Sequence, residues 1–298
     1  MLKSVGLSER DGAAIRLVDL VALTKPRVTA MVVLTAAAGA WLAPETMGRG
    51  RLLSLLVGTT LIVGGANALN MYLERDLDAR MERTRRRPLP AGRLSPPVAL
   101  GFGILLALLS LPALALGVNL LTALLGMLAF ILYVAVYTPL KRHSSLALVI
   151  GAVPGAIPPL MGWTAATGRL GWPGVVLFAI LFLWQLPHFL AITLYRAEEM
   201  ARAGYKVTAV QRGRRAAQWR IVVSLAMLVP VSLLLVPLGV GGMVYLVLAA
   251  TAGAGFLGWG LYGLRRNAGL RWARSLFMVS LVYLTLLSVA LAVGRLQG

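Results

Sequence analysis

The chain alternates long apolar segments with short polar ones, and this pattern predicts its architecture. Nine apolar segments are long enough to cross a bilayer, because a transmembrane helix needs roughly 20 mainly apolar residues. Proline, glycine and asparagine stand at most of the breaks between them. We therefore predict an all-α polytopic membrane protein with transmembrane helices at about 28–43, 52–73, 97–117, 119–138, 146–166, 173–194, 219–238, 242–263 and 275–294.

Composition agrees with a membrane protein. Of the 298 residues, 59% are hydrophobic and 13% are charged, whereas a soluble domain carries about 25% charged residues. We predict one membrane-embedded domain, 1–298, in which residues 1–22 form a cytoplasmic N-terminal tail. The chain has no cysteine, which excludes disulfides and thiolate metal ligands.

The distribution of basic residues predicts the orientation in the membrane. The chain has 29 Lys and Arg residues against 10 Asp and Glu, a formal net charge of +19. With nine helices, all basic residues except Arg49, Arg51, Arg169 and Arg295 fall on one side, which the positive-inside rule makes cytoplasmic. The N terminus is then inside and the C terminus outside. The charge thus indicates topology and contact with membrane lipid, and we expect no nucleic-acid partner.

A cluster of acidic residues follows the second apolar segment. Asn70, Glu74 and Asp78 are spaced i, i+4, i+8, which places three oxygen-bearing side chains along one helix face. Hard cations such as Mg²⁺ prefer oxygen ligands and often share them with a substrate phosphate. Arg83 and Arg87 follow and could take further phosphate charge. The alternative is an interfacial acidic patch that its own arginines neutralise.

A second polar cluster follows the sixth apolar segment. His188, one of two histidines, lies within the predicted helix, and Arg196, Glu198 and Glu199 follow its end. His188 could bind haem, accept a proton or position water, or it could be a hydrogen-bonded packing residue. Glu198 and Glu199 alone could be a solvated loop pair.

Two smaller clusters place cations at helix ends. They are Thr24–Arg27 and Tyr137–His143. Each could anchor a diphosphate, or its basic side chains could simply snorkel toward water.

These stretches together resemble the UbiA-type intramembrane prenyltransferases, and among them the haem O synthase branch. Quinone-pathway members of the family carry aspartates where this chain has His188 and Tyr195, and that departure is typical of the haem branch. Met200 and the run 204–210 depart from the family pattern, so we expect the loop after the sixth helix to close differently. The matching stretches are 23–28, 70–78, 81–93, 137–141, 150–163 and 184–189.

The resemblance implies a UbiA-type fold with nine helices around a central cavity. It also implies a particular reaction. Farnesyl diphosphate would alkylate the vinyl group of protohaem IX (haem B), and water would complete the haem O product. Mg²⁺ is the implied cofactor, held by Asn70, Glu74 and Asp78, which with Lys141 are the implied catalytic residues. The implied substrate-binding residues are Arg27, Arg83, Arg87, Tyr137, His188, Arg196 and Glu199.

The resemblance also implies a location and partners. We expect a multi-pass protein of the bacterial or archaeal cell membrane, or of the inner mitochondrial membrane in a eukaryote. Other haem-A-pathway or oxidase-assembly proteins are expected partners. Three alternatives remain: a UbiA-type enzyme acting on a quinone precursor, a cation or metabolite transporter, and a haem-binding assembly factor without chemistry.

Overall fold

The structure, a computed structural model, describes residues 16–206 and 208–297. Residues 1–15 of the predicted cytoplasmic tail lie outside this range. The described part of the chain contains helices and turns and no β-strand. The helices are α1 Leu17–Leu23, α2 Pro26–Leu42, α3 Arg49–Asp78, α4 Pro96–Ala115, α5 Leu120–Ile131, a π-helix Leu132–Tyr137, α6 Thr138–Leu140, α7 Ala147–Thr167, α8 Trp172–Tyr195, α9 Ala197–Ala203, α10 Thr208–Gln211, α11 Gly213–Leu233, α12 Met243–Arg265 and α13 Leu270–Gln297.

Eight helical segments are long and apolar enough to cross a membrane, which confirms the predicted multi-pass, all-α class. They are α3, α4, the continuous segment Leu120–Leu140, α7, α8, α11, α12 and α13. The first predicted crossing corresponds to α2, an apolar helix of 17 residues. The count of nine crossings requires α2 to span as well, and it stays a prediction, as does the orientation of the N terminus.

Two helices end five residues from the positions predicted for them. Helix α3 continues past the predicted 73 to Asp78, so one helix carries the whole acidic motif, as its spacing predicted. Helix α11 ends at Leu233, five residues before the predicted 238, and turns follow. Pro237 cannot donate a backbone hydrogen bond and disfavours helix in the residue before it. The predicted boundary at 238 was therefore wrong.

Small residues bring α2 and α7 into close contact. A Cβ atom on Gly39 would overlap the backbone of Pro159, and one on Gly162 would overlap the carbonyl of Ala36. Such approaches let the backbones of two membrane helices pack directly against each other. Helix α7 remains helical through its three internal prolines. This packing fixes α2 directly against α7.

One end of the bundle gathers the polar motifs, and we call it the motif end. Leu77 and Met81, at the end of α3, pack against Ala203 and Tyr205, which follow α8. The backbone N–H of Lys206 donates to the carbonyl of Lys141 at 3.0 Å. The ends of α3, α6 and α8 therefore meet, as expected if the two acidic helix ends border one site.

Helix α1 also packs at the motif end. Asp19 pairs with Arg93 at 2.8 Å, and Leu23 is fully buried. Residues 17–22 of the predicted tail therefore form a helix anchored to the loop after α3.

Candidate active site

The acidic motif on α3 forms a buried line of oxygen atoms. Asn70, Glu74 and Asp78 are 2%, 3% and 1% exposed. Their i, i+4, i+8 spacing places them on one helix face, and the amide of Asn70 donates to Glu74 Oε2 at 2.8 Å. The structure thus brings these three predicted residues together. Buried carboxylates are costly unless they are paired or hydrogen-bonded, so their partners define the site.

Three cations from three separate segments meet this line. Lys141 Nζ lies 2.5 Å from Glu74 Oε1, and Arg87 Nη1 lies 2.6 Å from Asp78 Oδ2. Lys25 Nζ donates to Asn70 Oδ1 at 2.8 Å. Three basic groups therefore face two carboxylates, and with all three protonated the positive charges outnumber the negative ones. This excess of positive charge suits an anionic ligand, particularly one that brings a cation of its own.

Lys25 was not among the site residues implied by the resemblance, although it lies in the Thr24–Arg27 cluster. It has φ 49° and ψ 66°, a left-handed conformation that costs a residue with a Cβ on the order of 1–3 kcal/mol. A residue before proline normally prefers extended backbone, so the sequence did not indicate this turn. Burial, then the positive charges of Arg87 and Lys141, lowers the pKa of Lys25 to about 7.

Arg27, which the resemblance implied as a substrate-binding residue, lies in a different environment from Lys25. It is exposed, and within the described residues it makes no hydrogen bond or ion pair. Its assignment to substrate binding therefore stays a prediction, and Lys25 is the cation that this segment contributes to the site.

The π-helix between α5 and α6 positions Lys141. Lys141 Nζ lies 4.5 Å from the centre of the Tyr137 ring, a cation–π distance. Thr138 Oγ accepts from the amide of Asn70 at 3.1 Å and donates to the carbonyl of Tyr133 at 2.8 Å. A Cβ atom on Gly151 would overlap the Tyr137 ring, so a glycine leaves room for that ring. π-Helical turns are rare and frequent at functional sites; the apolar pattern did not predict this one.

The second acidic cluster is more open. Arg196 pairs with Glu199 at 3.2 Å, and their side chains are 35% and 30% exposed. Burial, then the positive charges of Arg87 and Arg196, lowers the pKa of Arg83. Within the described part of the chain, no three His, Asp or Glu side chains converge on a common point. At the first cluster, Glu74, Asp78 and the amide oxygen of Asn70 are the oxygen ligands available to a metal.

The loop after α9 covers the site. The Tyr205 ring lies 5.8 Å from Lys141 Nζ, and burial raises the pKa of the Tyr205 hydroxyl. Tyr205 was not predicted as a site residue. Its position in the run that departs from the family pattern was the signal that could have identified it.

His188 lies apart from the carboxylates, on the face of α8 that packs against α13. Its Nδ1 is 2.7 Å from Ser280 Oγ, and its ring centre is 4.7 Å from that of Trp184. An apolar cavity follows the same seam and starts at Leu181 and Leu284, about one turn from Trp184 and Ser280 and about two turns from His188. The structure therefore contains a charged region at the motif end and an apolar region between α2, α8 and α13.

The fold has counterparts in known proteins. The model of the UbiA prenyltransferase family matches residues 32–282. A solved digeranylgeranylglyceryl phosphate synthase superposes with a TM-score of 0.83 at 17% identity, over 95% of this chain and 99% of that chain. A UbiA homologue from Archaeoglobus fulgidus, bound to GPP and Mg²⁺, superposes with a TM-score of 0.65 at 14% identity, over 92% and 99%. The chain belongs to the UbiA prenyltransferase family.

Similarity to curated proteins narrows the class further. A protohaem IX farnesyltransferase from Anaeromyxobacter sp. (strain Fw109-5) is 52% identical over 276 residues, 93% of each chain. A protohaem IX farnesyltransferase from Sorangium cellulosum is 52% identical over 279 residues, 89% of this chain and all of the relative. These relatives confirm the prediction that the chain belongs to the haem branch of the family and is an enzyme.

Proposed function

We propose that the protein transfers the farnesyl group of farnesyl diphosphate to the vinyl group of protohaem IX, giving haem O and diphosphate. Relatives that are 52% identical over most of the chain are named protohaem IX farnesyltransferases. The observation on which the site assignment rests is the buried line of Asn70, Glu74 and Asp78, with a cation on each member.

The reaction balances without a covalent enzyme intermediate. The bond between C1 of the farnesyl chain and oxygen breaks, and its electron pair leaves with diphosphate. The vinyl carbon of protohaem forms a bond to C1, and water then adds a hydroxyl group and releases a proton. The developing charges are an allylic cation and a leaving diphosphate, and preorganised charge near the latter lowers the barrier.

The residues present suit Mg²⁺. Oxygen atoms from one amide and two carboxylates are the ligand type that Mg²⁺ prefers, usually shared with substrate phosphates. Glu74 Oε1 is buried and forms an ion pair with Lys141, but it accepts no hydrogen bond of normal geometry within the described residues. Asn70, Glu74 and Asp78 would hold the ion, which when bound would neutralise charge on the leaving diphosphate.

The three cations would then exchange partners. Without substrate, Lys25, Lys141 and Arg87 neutralise the oxygen line. With the diphosphate bound, the same cations would turn to phosphate oxygens, where Arg binds bidentately and Lys as a point charge. We assign Arg83, Arg196 and Glu199 to the closure of this site.

The apolar region would receive the isoprenoid tail and the acceptor. The cavity along α2, α8 and α13 is lined mainly by leucine and other apolar side chains. An apolar, water-poor wall protects a carbocation from premature capture by water. We place the protein in the bacterial cytoplasmic membrane, with the motif end on the cytoplasmic side and farnesyl diphosphate and haem B as its substrates.

A competition assay tests this function. Purified wild-type protein in lipid nanodiscs would receive farnesyl diphosphate with protohaem IX and 4-hydroxybenzoate together. We expect the mass of haem O, one diphosphate released per haem O formed, and no prenylated benzoate. Prenylated benzoate alone would establish the quinone-type alternative, and haem binding without diphosphate release would indicate an assembly factor.

A further inference from the structure

The imidazole of His188 is held rigidly between two helices. On α8, the Trp184 ring stacks against it with centres 4.7 Å apart. On α13, the Phe277 ring lies at the same centre-to-centre distance, and Ser280 Oγ lies 2.7 Å from Nδ1. His188 is 8% exposed, and Ser280 is fully buried. The ring therefore has a fixed orientation.

The hydrogen bonds around Ser280 determine which nitrogen of His188 carries the proton. Ser280 Oγ lies 2.6 Å from the carbonyl oxygen of Phe277, which can only accept. A hydroxyl group has one proton, and that proton is used in this bond. Ser280 Oγ must therefore accept from Nδ1–H of His188, so the neutral imidazole carries its lone pair on Nε2.

That lone pair borders open space. Within the described residues, Nε2 has no hydrogen-bond partner, yet it is not among the fully enclosed polar atoms that lack one. In an imidazole the two ring nitrogens point in diverging directions, so Nε2 points away from Ser280. The apolar cavity starts about two turns from His188 along α8, at Leu181, and about one turn from Ser280 along α13, at Leu284. A neutral imidazole whose Nδ1–H is hydrogen-bonded and whose Nε2 is free is the arrangement of a metal-ligating histidine.

We propose that His188 Nε2 is an axial ligand of the iron in the porphyrin acceptor, and that Ser280 is the positioning residue that fixes its tautomer. This inference rests on the proposed function, because it requires an iron porphyrin as acceptor. Ligation would hold the macrocycle at one height along α8 and α13, and so would select which part of its edge meets the farnesyl cation. The aromatic rings of Trp184 and Phe277 supply the apolar surroundings that a porphyrin needs.

Resonance Raman spectroscopy of the ferrous protohaem complex tests the ligation directly. The probe is protohaem IX added to the purified full-length protein in nanodiscs. We expect an iron–imidazole stretching band in the wild type. His188→Gly should lose it, and added imidazole should restore it by filling the space. Haem affinity should fall by about tenfold or more in His188→Gly, the scale seen when support for a metal ligand is lost.

Three variants separate ligation from packing. His143→Ala removes the other histidine, which is exposed, and should keep the band. Ser280→Ala should shift the band and weaken haem binding by about tenfold, whereas Ser280→Thr keeps the hydroxyl and should restore both. Affinity for farnesyl thiodiphosphate should be unchanged in all variants, which reports an intact fold.

The outcomes distinguish this inference from the proposed function. A wild-type enzyme that makes haem O without an iron–imidazole band would overturn the ligation and leave the function intact. A band that persists in His188→Gly would also overturn it. If wild-type protein binds protohaem but forms no haem O, the proposed function fails, while a band lost in His188→Gly and rescued by imidazole would still support the ligation.

Discussion

The two acidic helix ends carry similar residues but differ in burial and pairing. At the end of α3, Glu74 and Asp78 have side chains that are 4% and 2% exposed. Glu74 pairs with Lys141 from a distant segment, and Asp78 pairs with Arg87 in the loop that follows α3. After α8, Glu199 is 30% exposed and pairs with Arg196, three residues before it. The first cluster is built by tertiary structure, whereas the second is a local surface pair.

This difference indicates which cluster performs the chemistry. An exposed ion pair contributes little because water screens it, while removing one partner of a buried pair leaves an uncompensated charge. A site that must stabilise a leaving diphosphate needs fixed charges that water does not screen. We therefore assign binding of the metal and diphosphate to the end of α3, and a supporting role to the end of α8.

The largest expected effect is the difference in activity between variants of two aspartates on α3, Asp78 and Asp76. Asp78→Asn should lower kcat/KM for farnesyl transfer on the order of 10²–10³-fold, the scale seen when a fixed transition-state charge contact is lost. Asp76→Asn is the matched control, since Asp76 is 51% exposed and pairs with Arg142 outside the site. It should stay within about fivefold of wild type. Equal losses in the two variants would remove the distinction between the buried and exposed faces of α3.

The next effect compares the two acidic ends directly. Glu74→Gln should lower kcat/KM by about 10²-fold, because it removes one of the two carboxylates that would hold the metal. Glu199→Gln should change it by less than about fivefold. Steady-state assays with haem O detected by mass provide the comparison. A larger loss in Glu199→Gln would mean that the second helix end carries the chemistry.

A smaller effect separates Lys25 from Arg27. Lys25→Met should raise KM for farnesyl diphosphate by about tenfold or more, because a charge-assisted hydrogen bond contributes roughly 1.5–3 kcal/mol. Arg27→Met should stay within about twofold, the usual range for an exposed position. The measurement is KM at saturating protohaem. The reverse order would restore Arg27 as the diphosphate anchor and reject the inward turn at Lys25.

The smallest effect concerns the support of the oxygen line. Thr138→Val removes the hydroxyl that Asn70 donates to, and activity should fall by about two- to tenfold, the value of one net hydrogen bond. Thr193→Val is its control, since Thr193 donates only to a carbonyl of its own helix at 2.9 Å. An unchanged Thr138→Val enzyme would show that Asn70 needs no orientation.

Much of this architecture could be predicted from the sequence. A membrane helix leaves a run of about 20 apolar residues, so the predicted 173–194 and 97–117 agree closely with Trp172–Tyr195 and Pro96–Ala115. The line of Asn70, Glu74 and Asp78 was predictable because all three residues are on one helix, where spacing alone determines the shared face.

Features that depend on tertiary contacts were not predictable in this way. The inward turn of Lys25 goes against the preference of a residue before proline, and it depends on Asn70, 45 residues away. The π-helix before Thr138 was not predictable because it is built from the same kind of apolar residues as the α-helix before it. The hydrogen bond from His188 to Ser280 joins residues 92 positions apart.

Binding of farnesyl thiodiphosphate with and without Mg²⁺ tests the central claim most directly. In the wild type and in Asp76→Asn, we expect Mg²⁺ to tighten binding by at least about tenfold, because the ion would join the oxygen line to the diphosphate. Asp78→Asn should lose this tightening while remaining folded. Tight binding by the wild type without divalent metal, or an undiminished response to Mg²⁺ in Asp78→Asn, would contradict the account.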